Sequence, residues 1–173
     1  MKTLIVCYSY TGNNKTLAHL LQRRLGCDLT DVMEPKGRGT WRTVLDLFLK
    51  RVPAILPVTL PPGSYERVIL IAPVWARHIA MPMGSFVRQY SGQLGSYGFI
   101  TVCTGREGQA AQLTGELTKM AGHAPLAVTE LWINDLLPPE KRNTIRYATR
   151  YRITAEELVH FEEKIAAFLQ RVG

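Results

Sequence analysis

The chain has 173 residues, 46% of them hydrophobic and 20% charged, with 21 Lys+Arg against 14 Asp+Glu and a formal charge of +7. That length suits one domain, residues 1–173, which buries about 70% of its unfolded surface without a metal or disulfide staple, and the apolar fraction excludes a disordered or collagenous chain. No apolar run approaches the roughly 18 residues of a membrane span; the opening Leu4-Ile5-Val6-Cys7 turns polar at Ser9, too short for a secretory signal, so a cytoplasmic protein is expected.

The apolar run at residues 4–8 predicts a strand, and Leu17, Leu20, Leu21 and Leu25 fall at helical spacing before the breaker Gly26. Residues 27–33 read as a weaker strand. Trp41, Val44, Leu45, Phe48, Leu49 and Val52 then form a helical stripe from Thr40 to Pro53. After a Pro-rich connector, residues 68–72 are a continuous apolar run suited to a strand buried on both faces. Pro82 opens a helix carrying Met83, Phe86, Val87 and Tyr90. Residues 99–103 repeat the strand pattern, and a helix over about 109–121 ends at Gly122. Residues 127–133 are a fifth strand. Thr154 with Glu157 three residues on is a capping box, opening a last helix with Leu158, Phe161, Ile165, Phe168, Leu169 and Val172 on one face.

Strands alternating with helices in this way demand an α/β fold, a three-layer, doubly wound, five-stranded parallel sheet. Ligands bind such sheets beyond the carboxyl ends of the strands, where the winding reverses, so the loops after strands one, three and four are expected to carry function. Cys7, Cys27 and Cys103 are odd in number and widely spaced, which suggests buried free thiols and neither a disulfide framework nor a zinc site.

The first of these loops, Ser9-Tyr10-Thr11-Gly12-Asn13-Asn14, precedes a helix. A helix start presents unpaired N–H groups and the positive end of the helix dipole to an anion. Ser9 and Thr11 add hydroxyl donors, Gly12 permits close backbone approach, and Asn13 and Asn14 either donate amides or cap the helix. A P-loop needs glycines where Ser9 and Asn14 stand, and no Gly-x-Gly-x-x-Gly signature is present. On loop chemistry alone, an anion site and a plain helix cap both fit.

These residues resemble the flavodoxin family, whose first loop reads Ser/Thr-x-Thr-Gly-x-Thr and wraps the phosphate of flavin mononucleotide (FMN); Asn14 stands where the last Thr belongs. Ala72-Pro73-Val74-Trp75-Ala76, followed by His78-Ile79-Ala80-Met81-Pro82, looks like the Pro-Val-Trp loop of the short flavodoxin-like proteins. Thr104-Gly105-Arg106-Glu107-Gly108 is similar to that family's Gly-rich isoalloxazine loop. The resemblance covers about residues 1–125. It implies strand order 2-1-3-4-5 and one FMN, with its phosphate on Ser9, Tyr10, Thr11, Gly12, Asn13 and Asn14. The ring system would lie between Pro73, Val74, Trp75, Ala76, Arg77 and His78 on one side and Thr104, Gly105 and Gly108 on the other.

The resemblance further implies an electron carrier or FMN-dependent oxidoreductase, fed by a redox partner protein or an NAD(P)H donor. Arg77 stands where that family has a small residue and would crowd the ring or set a cation beside it. A cation there stabilises the anionic reduced flavin and raises its potential. Low-potential flavodoxins are acidic and this chain is basic, so a higher potential is expected. His78 and His123 are either proton donors or surface histidines. The alternative, from another class, is a non-redox module with the fold but no competent flavin site, using its basic surface to bind an acidic partner.

The positive charge gathers at Lys36, Arg38, Arg42, Lys50 and Arg51, and again at Lys141, Arg142, Arg146, Arg150 and Arg152, with no acidic residue within the second group. Docking of an acidic redox partner, attraction of NADPH and a plain surface bias all fit that second group. Tyr147 and Tyr151 interleave with it, yet no recognised nucleic-acid module is present, and nucleic acid is not the expected partner.

Overall fold

The computed structural model describes residues 1–35, 53–105 and 108–173. Its strands are β1 (Thr3–Cys7), β2 (Asp28–Asp31), β3 (Arg67–Ile71), β4 (Val74–Trp75), β5 (His78–Ile79), β6 (Ser96–Cys103) and β7 (Val128–Trp132). Five of them form one sheet in the order β2-β1-β3-β6-β7, every pairing parallel. Counted within that sheet alone, this is the expected order 2-1-3-4-5. The other two, β4 and β5, pair antiparallel as a separate hairpin.

The helices are α1 (Asn13–Leu25), α2 (Met81–Gln89), α3 (Ala110–Ala121), α4 (Ile133–Leu136), α5 (Ile145–Arg150) and α6 (Glu162–Val172). Alternate residues of β1 and β3 enter different cores, which is the period-2 rule of a strand acting on an all-apolar segment. Leu4, Val6, Val68 and Leu70 meet Met83 and Phe86 of α2 and Leu113 and Leu117 of α3. Ile5, Cys7, Ile69 and Ile71 meet Leu17 and Leu21 of α1 and Ile165 and Phe168 of α6. Each such side chain, fully buried, contributes about 1.5–3 kcal/mol of transfer free energy. At Gly98, a Cβ would lie 2.4 Å from Val172 Cγ1 and 2.9 Å from Phe168 Cζ; the missing side chain is what lets α6 close on β6.

Several boundaries differ from expectation. Both β1 and β3 start and end one residue early, β6 starts at Ser96 and not at Phe99, and β2 is shorter than residues 27–33. The helix expected between Thr40 and Pro53 lies outside the described residues. The capping box forms: the Thr154 N–H donates to Glu157 Oε2 (2.9 Å) and the Glu157 N–H to Thr154 Oγ1 (3.3 Å). It caps a 3₁₀ turn over Glu157–Phe161, however, and α6 begins only at Glu162. Three residues per turn align Leu158 with Phe161, and both are buried.

Three elements were not expected from periodicity: the β4–β5 hairpin, α4 and α5. All three cysteines are free; Cys7 and Cys103 are buried, whereas Cys27, expected to be buried, is half-buried at the sheet edge. No helix among the described residues is long and apolar enough to cross a membrane.

Candidate functional site

After β1 the chain turns through Gly12, whose φ of 94° lies in the left-handed region, and enters α1. Ser9 Oγ accepts the N–H groups of Gly12 (3.2 Å) and Lys15 (3.2 Å). The hydroxyl oxygen thus caps the helix while its hydrogen stays available to donate. The N–H groups of Asn13 and Asn14 meet no acceptor among the described residues, and the first turn carries no acidic side chain, so the positive end of α1 is uncompensated. Lys15, the cation nearest in sequence, pairs with Asp31 at 2.5 Å.

The two asparagine side chains act as clamps. By Val102 the neighbouring β3 has ended, since Ile71 pairs with Ile100. Asn14 takes the missing strand's place: its Nδ2 donates to Val102 O (3.0 Å) and its Oδ1 accepts the Val102 N–H (2.9 Å). Asn13 does the same for a distant segment, donating to Tyr151 O (3.0 Å) and accepting the Ile153 N–H (3.0 Å). Both are buried.

After β3, Pro73 leads into the hairpin. Trp75 stands edge-on to Tyr8 (centroids 6.0 Å apart) and to Tyr10 (5.9 Å). The two turn residues, Ala76 and Arg77, have φ of 47° and 69°, a conformation costing about 1–2 kcal/mol for each residue with a side chain. Bonds to α3 hold the turn: Arg77 Nε donates to Gln112 Oε1 (3.2 Å), Gln112 Nε2 to Arg77 O (2.8 Å), and the Ile79 N–H to Glu116 Oε2 (3.3 Å). His78 Nδ1 lies 3.5 Å from the same Glu116 carboxylate. Arg77 is therefore drawn toward α3, and His78 lines a groove between α2 and α3 with Arg88, Glu116 and Lys119. His123 bonds Gly95 O at 2.9 Å, beneath the opposite end of β6.

The loop after β6 is held by residues that the sequence reading did not single out. Asn134 donates its backbone N–H to Thr104 O (3.3 Å) and its side-chain amide to Gly105 O, and accepts the Asn143 N–H (3.1 Å). Gly105 combines a φ of 65° with a close approach: a Cβ would fall 2.2 Å from Trp132 Cγ, so any other residue there is excluded twice. Glu130 accepts the Gln109 N–H (2.7 Å) at the start of α3. Arg106 and Glu107 lie outside the described residues, and Gly108 is exposed.

Between these loops lies a cleft of about 370 Å³, within the usual range for small-ligand sites. Tyr10, Thr11, Asn13 and Asn14 line one end, Pro73, Val74 and Trp75 a side, and Val102, Cys103 and Thr104 the floor. Ile133 from α4, Ala148 and Thr149 from α5, and Arg152 complete it. Ser9 and Gly12 shape the first loop from behind, while Ala76, Arg77, His78, Gly105 and Gly108 are not on the wall.

Ile133 was expected to end the fifth strand, whereas Ala148, Thr149 and Arg152 come from the long connection that carries the second basic group. Its run of cations without a carboxylate was the only sequence signal that it faces an anion site. The cleft offers an aromatic and aliphatic wall with an uncompensated helix start at one end, which suits a planar ligand carrying an anionic tail. It offers no nucleophile: burial and the Glu130 carboxylate push the Cys103 thiol up to about 12. No His, Cys, Asp and Glu cluster among the described residues has metal-binding geometry.

No protein-family model and no curated protein sequence matches the chain. Solved structures do. The flavoprotein in complex with FMN from Lactobacillus acidophilus NCFM is 20% identical, covers 75% of this chain and 92% of its own, and superposes with a TM-score of 0.64. A protein from Bacteroides eggerthii DSM 20697 is 17% identical, with 95% and 98% covered and a TM-score of 0.64. A flavodoxin from the domain Archaea is 14% identical, with 99% of both chains covered and a TM-score of 0.51. The fold is thus flavodoxin-like, and the likeness runs past residue 125, where the motif resemblance fades.

Proposed function

We propose that this flavodoxin-like chain binds FMN in the cleft above β1, β3 and β6 and works as a redox protein. The observation that carries the reading is the pairing, within one cleft, of an uncompensated helix start with an aromatic wall. The donors fit a phosphate: the N–H groups of Asn13 and Asn14 and the hydroxyl of Thr11, which lines the cleft, while Ser9 caps the turn behind them. Trp75 and Tyr10 fit a flat aromatic ring, and Thr104 lines the same cleft. The flavoprotein of the same fold from Lactobacillus acidophilus is itself complexed with FMN, which supports the assignment.

FMN, when bound, supplies the electron-transfer chemistry. The chain's own part is to bind, orient and exclude water. Asn14 fixes the helix start to β6, Asn13 fixes it to residues 151–153, and the apolar floor at Val102 and Cys103 keeps solvent off one face of the ligand. No side chain is needed as base or nucleophile. Arg152 lines the cleft and Lys141, Arg142, Arg146 and Arg150 belong to the segment that supplies Ala148 and Thr149 to it, so an anionic electron donor, an acidic protein or a phosphorylated dinucleotide, would be steered to it.

Titration of the purified protein with FMN tests the reading, with quenching of flavin fluorescence as the signal. Tight binding is expected, and Thr11→Leu is expected to weaken it by roughly tenfold or more through loss of a phosphate donor, with an unchanged far-UV spectrum. A colourless protein with no measurable affinity for FMN would overturn the proposal; unchanged affinity in Thr11→Leu would overturn the placement of the phosphate.

A further inference from the structure

Resting on the FMN reading above, we propose that Arg152 is the cation that faces the ligand's phosphate and makes the site prefer phosphorylated over unphosphorylated flavin. The helix start supplies only neutral donors, and Lys15 is committed to Asp31. Arg152 lines the same cleft as Thr11 and Asn13. Its position is set from both sides, because the Asn13 amide bonds the carbonyl of Tyr151 and the N–H of Ile153. Residue 152 is thereby locked beside the first turn of α1, across 139 positions of sequence from Asn13.

Its side chain is positioned as well. Nη1 donates to Thr149 O (3.1 Å) and Tyr151 O (2.9 Å), which fixes the guanidinium plane. Nε and Nη2 have no acceptor among the described residues, and no carboxylate there forms an ion pair with Arg152. Beyond it, Tyr151 donates its hydroxyl to Glu157, which also closes the capping box with Thr154, so the segment is braced on the far side. A cation held in place with donors to spare, at the mouth of an uncompensated helix start, is matched by a phosphomonoester. That group carries about −1.5 to −2 charges at pH 7 and accepts charge-assisted bonds from a guanidinium.

The test compares wild type, Arg152→Gln and Arg152→Lys for binding of FMN and of riboflavin, across salt concentration and pH. Arg152→Gln is expected to lose roughly tenfold or more in FMN affinity while riboflavin affinity stays within about twofold, and Arg152→Lys to recover part of the loss. Wild-type FMN binding should weaken with salt more steeply than that of Arg152→Gln. It should also weaken as pH falls below about 6, where the phosphate loses its second charge, and that fall should be blunted in Arg152→Gln. Equal FMN affinity in wild type and Arg152→Gln overturns the proposal. So does an equal loss for FMN and riboflavin, which would make Arg152 a structural residue. If wild type binds neither flavin, the FMN reading itself fails.

Discussion

Asn14 does with one side chain what a longer β3 would do, closing both backbone groups of Val102 at 2.9 and 3.0 Å where β3 has run out. Truncating it leaves a buried donor and a buried acceptor unpaired, each costing about 1–3 kcal/mol. Asn14→Ala is therefore expected to lose about 2–4 kcal/mol in urea unfolding, with a lowered midpoint and an unchanged slope. Asn14→Asp should be nearly as damaging, because a carboxylate oxygen then faces the Val102 carbonyl. At this scale the sequence gives residue types and not partners. It places Asn13 and Asn14 at a helix start, where capping and ligand binding are both ordinary roles, but the atoms they bond lie 88 and about 140 residues away. Asn134 and Glu130, which hold the third loop, carried no local pattern at all.

Among the elements, those with several turns of periodicity were legible to within a few residues: α1 with its Gly26 stop, α2 with Pro82 in its first turn, and α3 with Gly122. The β4–β5 hairpin was not, since two-residue strands show no period and its Ala76-Arg77 turn lacks the Asn-Gly type of signal. The segment leading to α6 makes a prediction of its own. Bonds from the Tyr151 hydroxyl and the Thr154 N–H hold the Glu157 carboxyl below the usual range, and the same bond pushes the Tyr151 hydroxyl up to about 12. A lowered carboxyl adds stability that is present above its unfolded pKa of about 4.3 and lost as pH falls through the folded value. A raised tyrosine adds stability that is present below about 10 and lost as pH rises toward the folded value. The brace is thus expected to act from roughly pH 5 to 10. Within that window Tyr151→Phe should lower stability by about 1–2 kcal/mol, and the thermal unfolding curves of variant and wild type should converge at both ends.

Over the whole molecule, the two-faced apolar strands were enough to specify the three layers, because a sheet buried on both sides admits few alternatives. The charge of +7 was legible as a quantity but not as a place. Lys141, Arg142, Arg146, Arg150 and Arg152 form no ion pair among the described residues, and the helix they surround is a wall of the cleft. Electron exchange with an anionic donor is expected to slow as ionic strength rises from 0.05 to 0.5 M, the range over which the screening length contracts from roughly 14 to 4 Å. A rate that ignores salt would remove steering from the role of these cations. The Asn13 clamp has a further consequence, in the order of events. Helix α1 is synthesised about 140 residues before the groups that its first side chain bonds, at Tyr151 and Ile153. Such distant pairings are slow to close. The cleft cannot take its final form until residues 151–153 have been made and packed against α1, so a ligand that needs the whole cleft is taken up only after that closure.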